Sequence, residues 1–210
     1  MGCLQGKEKE AEEAVVTELP ESKPKQVDPR LPFDTYRQLF NLRNSWKTVA
    51  RNLTETSKDC LIRYLKKYPE HKAMYRGCAN LEDEEAMRAS TSFENAAVPV
   101  FNLFDDVMEN SENVDIAIAQ IGMGATPHKK IKGFRTDYLK AMEEPFIEAV
   151  SVTLGDRFTD PTEQNFRKLY QFVIQEMIKA LGGETPPEEP QVEADKESLP
   201  TDQEDVQIKL

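Results

Sequence analysis

Histidine is scarce in this chain: among its 210 residues only His71 and His128 occur. Two histidines cannot convincingly serve a Ser/His/Asp set, no glycine-rich phosphate loop is present, and no paired metal ligands stand at ligand spacing. A hydrolase or transferase therefore has little support, and the chain reads more as a binding protein than as an enzyme. Cysteine is scarce too. Cys3, Cys60 and Cys78 make an odd number without metal-like spacing, the pattern of a reducing compartment. No apolar run reaches the roughly 18 residues of a membrane-spanning helix, and no hydrophobic signal-peptide core is present, so the expected location is cytoplasmic. Basic residues are nowhere gathered along a face, and the net charge is -11, which argues against nucleic-acid binding.

Aromatic residues are missing from both ends. Residues 1–30 hold Pro20, Pro24 and Pro29 among many charges, and residues 183–210 hold Pro186, Pro187, Pro190 and Pro200. Neither segment buries enough apolar surface to offset its ordering entropy, so both are expected to be disordered. The second carries nine acids against Lys196 and Lys209, which leaves the centre only mildly acidic. Such a run is usually a solvated, solubilising tail. The expected division is a disordered extension over 1–35, one folded domain over 36–183 and an acidic disordered tail over 184–210.

The centre reads as helices. Leu39, Leu42, Trp46, Val49 and Leu53 recur at steps of three and four, predicting a helix from about Tyr36 to Asn52. Cys60, Leu61, Tyr64, Leu65 and Tyr68 repeat the pattern up to Pro69, which ends or bends the second helix. Residues 75–88 read as a polar loop with a short helix starting near Asn80. Phe93, Ala96, Ala97, Val100, Phe101, Phe104, Val107 and Met108 mark a core helix in which Pro99 predicts a kink or break. Val114, Ala117, Ile118 and Ile121 predict a short helix ending before Gly122 and Gly124. Leu139, Met142, Phe146, Ala149, Val150 and Leu154 predict another, irregular at Pro145 and closed by Gly155. In the last, Asp160 is read as the cap, Pro161 as the first helical residue and Glu163 as its capping-box partner, with Gly182 and Gly183 as the stop. No segment alternates as a strand, so the fold class is all-α with six to eight helices.

Between two helical segments lies Met-Gly-Ala-Thr-Pro-His-Lys-Lys-Ile-Lys-Gly-Phe-Arg-Thr-Asp-Tyr, residues 123–138. Neutral imidazole is the usual protein ligand of haem iron, and Lys129, Lys130 or Arg135 offers charge for haem carboxylates. A lone histidine near a helix end is more often an ordinary surface or capping residue, and the local sequence alone is a weak signal for ligation. His71, in Pro-Glu-His-Lys, reads as a solvated residue.

Taken in order, the segments resemble a globin. Leu61-Ile62-Arg63-Tyr64-Leu65-Lys66-Lys67-Tyr68-Pro69-Glu70 resembles the second globin helix and its proline corner. Trp46 falls where the first helix usually carries tryptophan, Ser92-Phe93-Glu94-Asn95-Ala96 resembles the approach to the distal position, and Gly133-Phe134 follows His128 as in the corner before the seventh helix. The resemblance covers roughly residues 36–183 and implies eight helices around a haem pocket. It implies that His128 is the proximal iron ligand of a b-type haem and that Ala96 stands at the distal position with Val100 one turn on. It further implies that Leu61 faces the distal pocket, that Tyr75 stands where a phenylalanine usually wedges against the haem, and that Phe134 packs under the haem edge. The sequence departs from the family at Ala96, where a histidine or glutamine is usual, at Tyr75, at Gly124 in place of a leucine, and at Pro127 directly before His128.

Met1-Gly2-Cys3 reads as a lipidation start, with Gly2 for myristate and Cys3 for palmitate, although Gly6 replaces the usual serine or threonine. A Gly-Cys start before such a domain is similar to the membrane-attached globins grouped as globin X, and implies attachment to the inner face of the plasma membrane. The expected function is a haem-binding globin that meets diatomic gases (oxygen, carbon monoxide, nitric oxide) in gas sensing, redox signalling or small-ligand chemistry rather than bulk transport. A haemless globin-fold interaction module is the alternative.

Overall fold

The computed structural model describes residues 25–184, and among them there are eight α-helices and no strand. The first, α1 (Tyr36–Arg51), starts where the Thr35 side chain accepts from the Gln38 N–H, and buries Leu39, Leu42, Trp46 and Val49 on one stripe. Helix α2 (Leu53–Lys67) ends at Tyr68, ahead of a short 3-10 helix (Pro69–Met74), because Pro69 cannot donate and restricts the residue before it. A short α3 (Glu84–Ala89) precedes α4 (Thr91–Glu109), which is capped by Ser90 and packs against α2. The later helices are α5 (Val114–Ala125), a 3-10 turn (Thr126–Lys130), α6 (Thr136–Ala141), α7 (Glu143–Leu154) and α8 (Asp160–Leu181).

One apolar core joins α1, α4, α5, α7 and α8. Trp46 lies within it, ring to ring with Phe101, Phe104 and Phe166 at 6.2–6.3 Å, and its indole N–H donates to Asp105 at 2.7 Å, so its single polar atom is satisfied. A smaller cluster of Leu61, Ile62, Tyr64, Leu65, Cys78, Phe93 and Ala97 fills the space between α2 and α4.

Several local expectations change. Helix α4 runs unbroken through Pro99; both Pro99 and Asn95 are exposed, so the carbonyl that loses its donor is not stranded in an apolar interior. Helix α5 continues through Gly122 and Gly124 to Ala125. The segment expected as one helix over 139–154 divides at Met142, which lets Pro145 fall in the first turn of α7, where a missing N–H removes no helical bond. The short helix expected near Asn80 starts at Glu84, capped by Asp83. The cap of α8 is Thr159, in extended geometry, rather than Asp160, and Glu163 pairs with Arg167 at 2.8 Å instead of reaching back.

The N-terminal boundary also moves. Residues 1–24 and 185–210, with the lipidation and tail expectations, lie outside the described residues, but residues 25–35 pack as part of the fold. Leu31 and Phe33 are both buried in the main core, and Arg30 reaches from Asp28 to Asp115 on α5 at 2.6 Å. Averaged over its charges and prolines the segment reads as solvated, and the two apolar anchors are lost in the average. Phe33→Ala should cost about 3 kcal/mol, the lower end for burying a phenyl ring, as read by denaturant unfolding. An unchanged midpoint would show that the segment contributes nothing.

Candidate functional site

A cavity of about 850 Å³ opens between α4 on one side and the end of α5 with its 3-10 turn on the other, and α8 forms its floor with Tyr170, Ile174 and Met177. Its lining is mostly carbon, which suits a large planar apolar ligand with few polar groups.

His128 stands in this wall on the 3-10 turn (Thr126–Lys130) that follows α5. Pro127 is accommodated directly before it because it sits at the start of that turn, where a missing N–H leaves no broken helical bond. The ring lies 4.9 Å from that of Phe134. Its Nδ1 is buried and makes no well-aligned hydrogen bond, although the carbonyls of Gly124 and Ala125 lie near enough to favour a proton there. Burial is the larger influence and holds the pKa of His128 below the ordinary histidine value, which keeps the imidazole in its neutral, metal-binding form. With Nδ1 turned into the backbone, Nε2 is the nitrogen free to meet a ligand.

Gly124 explains itself in the packing. A Cβ there would stand 3.1 Å from Leu103 Cδ1, closer than side chains ordinarily pack, so the bulk that a leucine would bring from α5 comes from Leu103 on α4. Both line the cavity.

Ala96, Val100, Tyr75 and Phe134 all line the cavity, and Asn95 stands at its exposed edge. Leu61 does not. It is 2% exposed and packed in the cluster between α2 and α4, too short to reach past its neighbours, and Tyr64 one turn further along meets the cavity in its place. Of the cations expected to meet haem carboxylates, Lys129 and Lys130 are exposed and outside the wall, and Arg135 pairs with Asp137 at 3.0 Å. The arginine in the wall is Arg76, which only its place beside Tyr75 marks in the sequence.

Four tyrosines line the cavity: Tyr64, Tyr75, Tyr138 and Tyr170. Burial raises the pKa of Tyr64, Tyr75 and Tyr170, so these phenols stay protonated. Tyr170 donates to the carbonyl of Leu139 at 2.6 Å, whereas the Tyr75 hydroxyl has no hydrogen-bond partner among the described residues. The expectation for His71 is overturned. Its side chain is buried rather than solvated, because the 3-10 helix after Pro69 turns it inward to bond Tyr64 at 2.7 Å and to pack against Tyr138, with ring centroids 4.1 Å apart. Among the described residues no cluster of three or more histidines, cysteines or acids is placed to hold a metal ion, and no helix is long and apolar enough to cross a membrane.

Comparison with known proteins agrees with this architecture. Residues 58–177 match the sequence model of the family Globin. Over 131 residues the chain is 24% identical to Cytoglobin-2 of Danio rerio and 23% identical to Cytoglobin-2 of Oryzias latipes, in each case covering 61% of this chain and 72% of the relative. Among solved structures, a hexacoordinated heme protein from an anhydrobiotic tardigrade, crystallised at pH 4, superposes with a TM-score of 0.70 at 28% identity, covering 74% of this chain and 99% of that one.

Proposed function

Since the chain belongs to the globin family, we propose that it binds a b-type haem through His128 and acts in gas sensing, redox signalling or small-ligand chemistry rather than bulk oxygen transport. The observation that carries this reading is the apolar cavity of about 850 Å³ with a single imidazole in its wall. The residues fit the group. His128 stands in the wall with its Nδ1 buried and unbonded, which leaves Nε2 to meet the iron, Phe134 lies against its ring, and Arg76 stands in the wall to meet a carboxylate. Among the described residues no cysteine lines the cavity, which suits haem held without covalent attachment, the b type.

Bound haem would supply an iron that takes a diatomic ligand such as oxygen, carbon monoxide or nitric oxide, or exchanges one electron. The chain sets how that happens. Ala96 and Val100 themselves have no hydrogen-bond donor, so a polar ligand gains little from them, and the carbon-rich lining limits water. The tardigrade protein's heme supports haem in this fold, while its sixth ligand remains a property of that protein.

Addition of haem to the purified chain should give a Soret band saturating at one haem per chain. A colourless protein after that titration would favour the haemless interaction module.

Attachment to the inner face of a membrane, as in globin X, is supported by Gly2 and Cys3 alone. Two acyl chains anchor stably where one binds reversibly, so Gly2→Ala should move the protein from the membrane to the soluble fraction of its native cells. An unmodified N-terminus by mass spectrometry, with the wild type wholly soluble, would end the idea.

A further inference from the structure

His71 is buried, bonded and unused by anything above. Its Nε2 lies 3.7 Å from the carboxylate of Glu70, which is largely exposed, and we assign its proton to that nitrogen on this basis. Nδ1 is then the acceptor, and the Tyr64 hydroxyl donates to it at 2.7 Å. Tyr68 stacks on the His71 ring with centroids 5.3 Å apart, and Tyr138 lies against it at 4.1 Å. Tyr64 and Tyr138 both line the cavity. A hydrogen bond therefore joins the cavity wall at Tyr64 to His71, and from His71 the exposed Glu70 carboxylate is 3.7 Å further on, a distance that a small turn of the glutamate or one water spans.

A buried phenol needs only a carbonyl to be satisfied, as Tyr170 is by Leu139. Tyr64 has instead been given a base, and that base has a second nitrogen through which a proton can leave. Such an arrangement lowers the barrier to losing an electron, since an oxidised phenol sheds its proton and here has a place to put it.

We propose that Tyr64 and His71 form a proton-coupled electron relay between the cavity and the surface, driven by a hydroperoxide; the relay rests on the haem reading above. As the O–O bond of the hydroperoxide breaks, it takes up two electrons and two protons and yields an alcohol, or water, and water. One electron would come from Tyr64 and the second would be supplied by the bound haem. The O–H bond of Tyr64 breaks as its electron leaves, an N–H bond forms at His71 Nδ1, and the Nε2 proton passes towards Glu70 and solvent, which also supplies the protons the peroxide takes. One-electron reductants at the surface, of the ascorbate or thiol class, later return an electron and a proton to Tyr64 and a second electron to the haem.

The test uses the full chain loaded with haem, mixed with hydrogen peroxide and frozen for electron paramagnetic resonance. A tyrosyl signal is expected in the wild type and its loss in both Tyr64→Phe and His71→Gln. A glutamine amide oxygen can accept the hydrogen bond but cannot keep the proton, so a merely structural role for His71 would leave the signal intact in His71→Gln. A Soret band recorded on the same wild-type sample separates the two readings. If it is absent, the haem assignment falls and the relay with it; if it is present, a missing wild-type signal, or one unchanged in either variant, overturns the relay alone.

Discussion

Replacing His128 by alanine is expected to abolish haem retention. His128 is the one imidazole in the cavity wall, and its ring is already placed by burial, by the Phe134 ring at 4.9 Å and by the backbone of Gly124 and Ala125 around Nδ1. Changes to groups that merely orient a metal ligand cost about 10- to 100-fold in affinity, so loss of the ligand itself should exceed that. His71→Ala should behave differently. It leaves the Tyr64 hydroxyl without its partner and should cost about 1–3 kcal/mol of stability, yet the haem should stay, because His71 does not line the cavity. Haem titrations of both variants, followed in the Soret region, check the pair. Equal retention in wild type and His128→Ala would sink the assignment.

The second large effect belongs to the opposite wall. The ferrous protein should be five-coordinate, and it should favour carbon monoxide over oxygen. Oxygen held in such a cavity gathers negative charge that a donor stabilises by about 1.5–3 kcal/mol, roughly a ten- to hundredfold factor in affinity, whereas carbon monoxide is much less polar and needs no donor. Ala96 has nothing to donate. His71 is tied to Tyr64, Tyr64 to His71, and Tyr170 to Leu139, which leaves the hydroxyls of Tyr75, Tyr138 and Ser92 and the amide of Asn95 as the substitutes in the lining. Ala96→His should therefore either raise oxygen affinity by about that factor or convert the spectrum to low-spin bis-histidine. A wild-type ferrous spectrum that is already low-spin and six-coordinate without added ligand would show that a side chain of this chain reaches the iron.

Much of the framework was legible in the sequence because helices announce themselves by period. The stripe from Leu39 to Val49 and the one from Phe166 to Ile178 are buried as their spacing required, and Pro69 and Gly182 stop their helices for the stated backbone reasons. Ala96, Val100, Phe134, Tyr75 and His128 share one cavity, which periodicity alone could not have told, since a cavity-lining face and a core face carry the same pattern. Leu61 illustrates the limit. It stands on the inward face of α2 as its spacing says, yet whether it touches the cavity or the next helix depends on side-chain reach, and Tyr64 is the longer. His71 was misread because Glu70 and Lys72 make its surroundings look polar, while a 3-10 turn points alternate side chains in directions that an α-helical period does not anticipate. Pro145 was read as an interruption within a helix, when it marks the first turn of a new one.

The proposed function turns on one bond, between Nε2 of His128 and the iron. Resonance Raman of the ferrous, haem-loaded protein reads that bond directly through the iron–histidine stretching band. The band is expected in the wild type, with its loss in His128→Gly and its return when free imidazole is added to that variant. A wild-type ferrous protein without the band, or a band unchanged in His128→Gly without imidazole, would contradict the assignment.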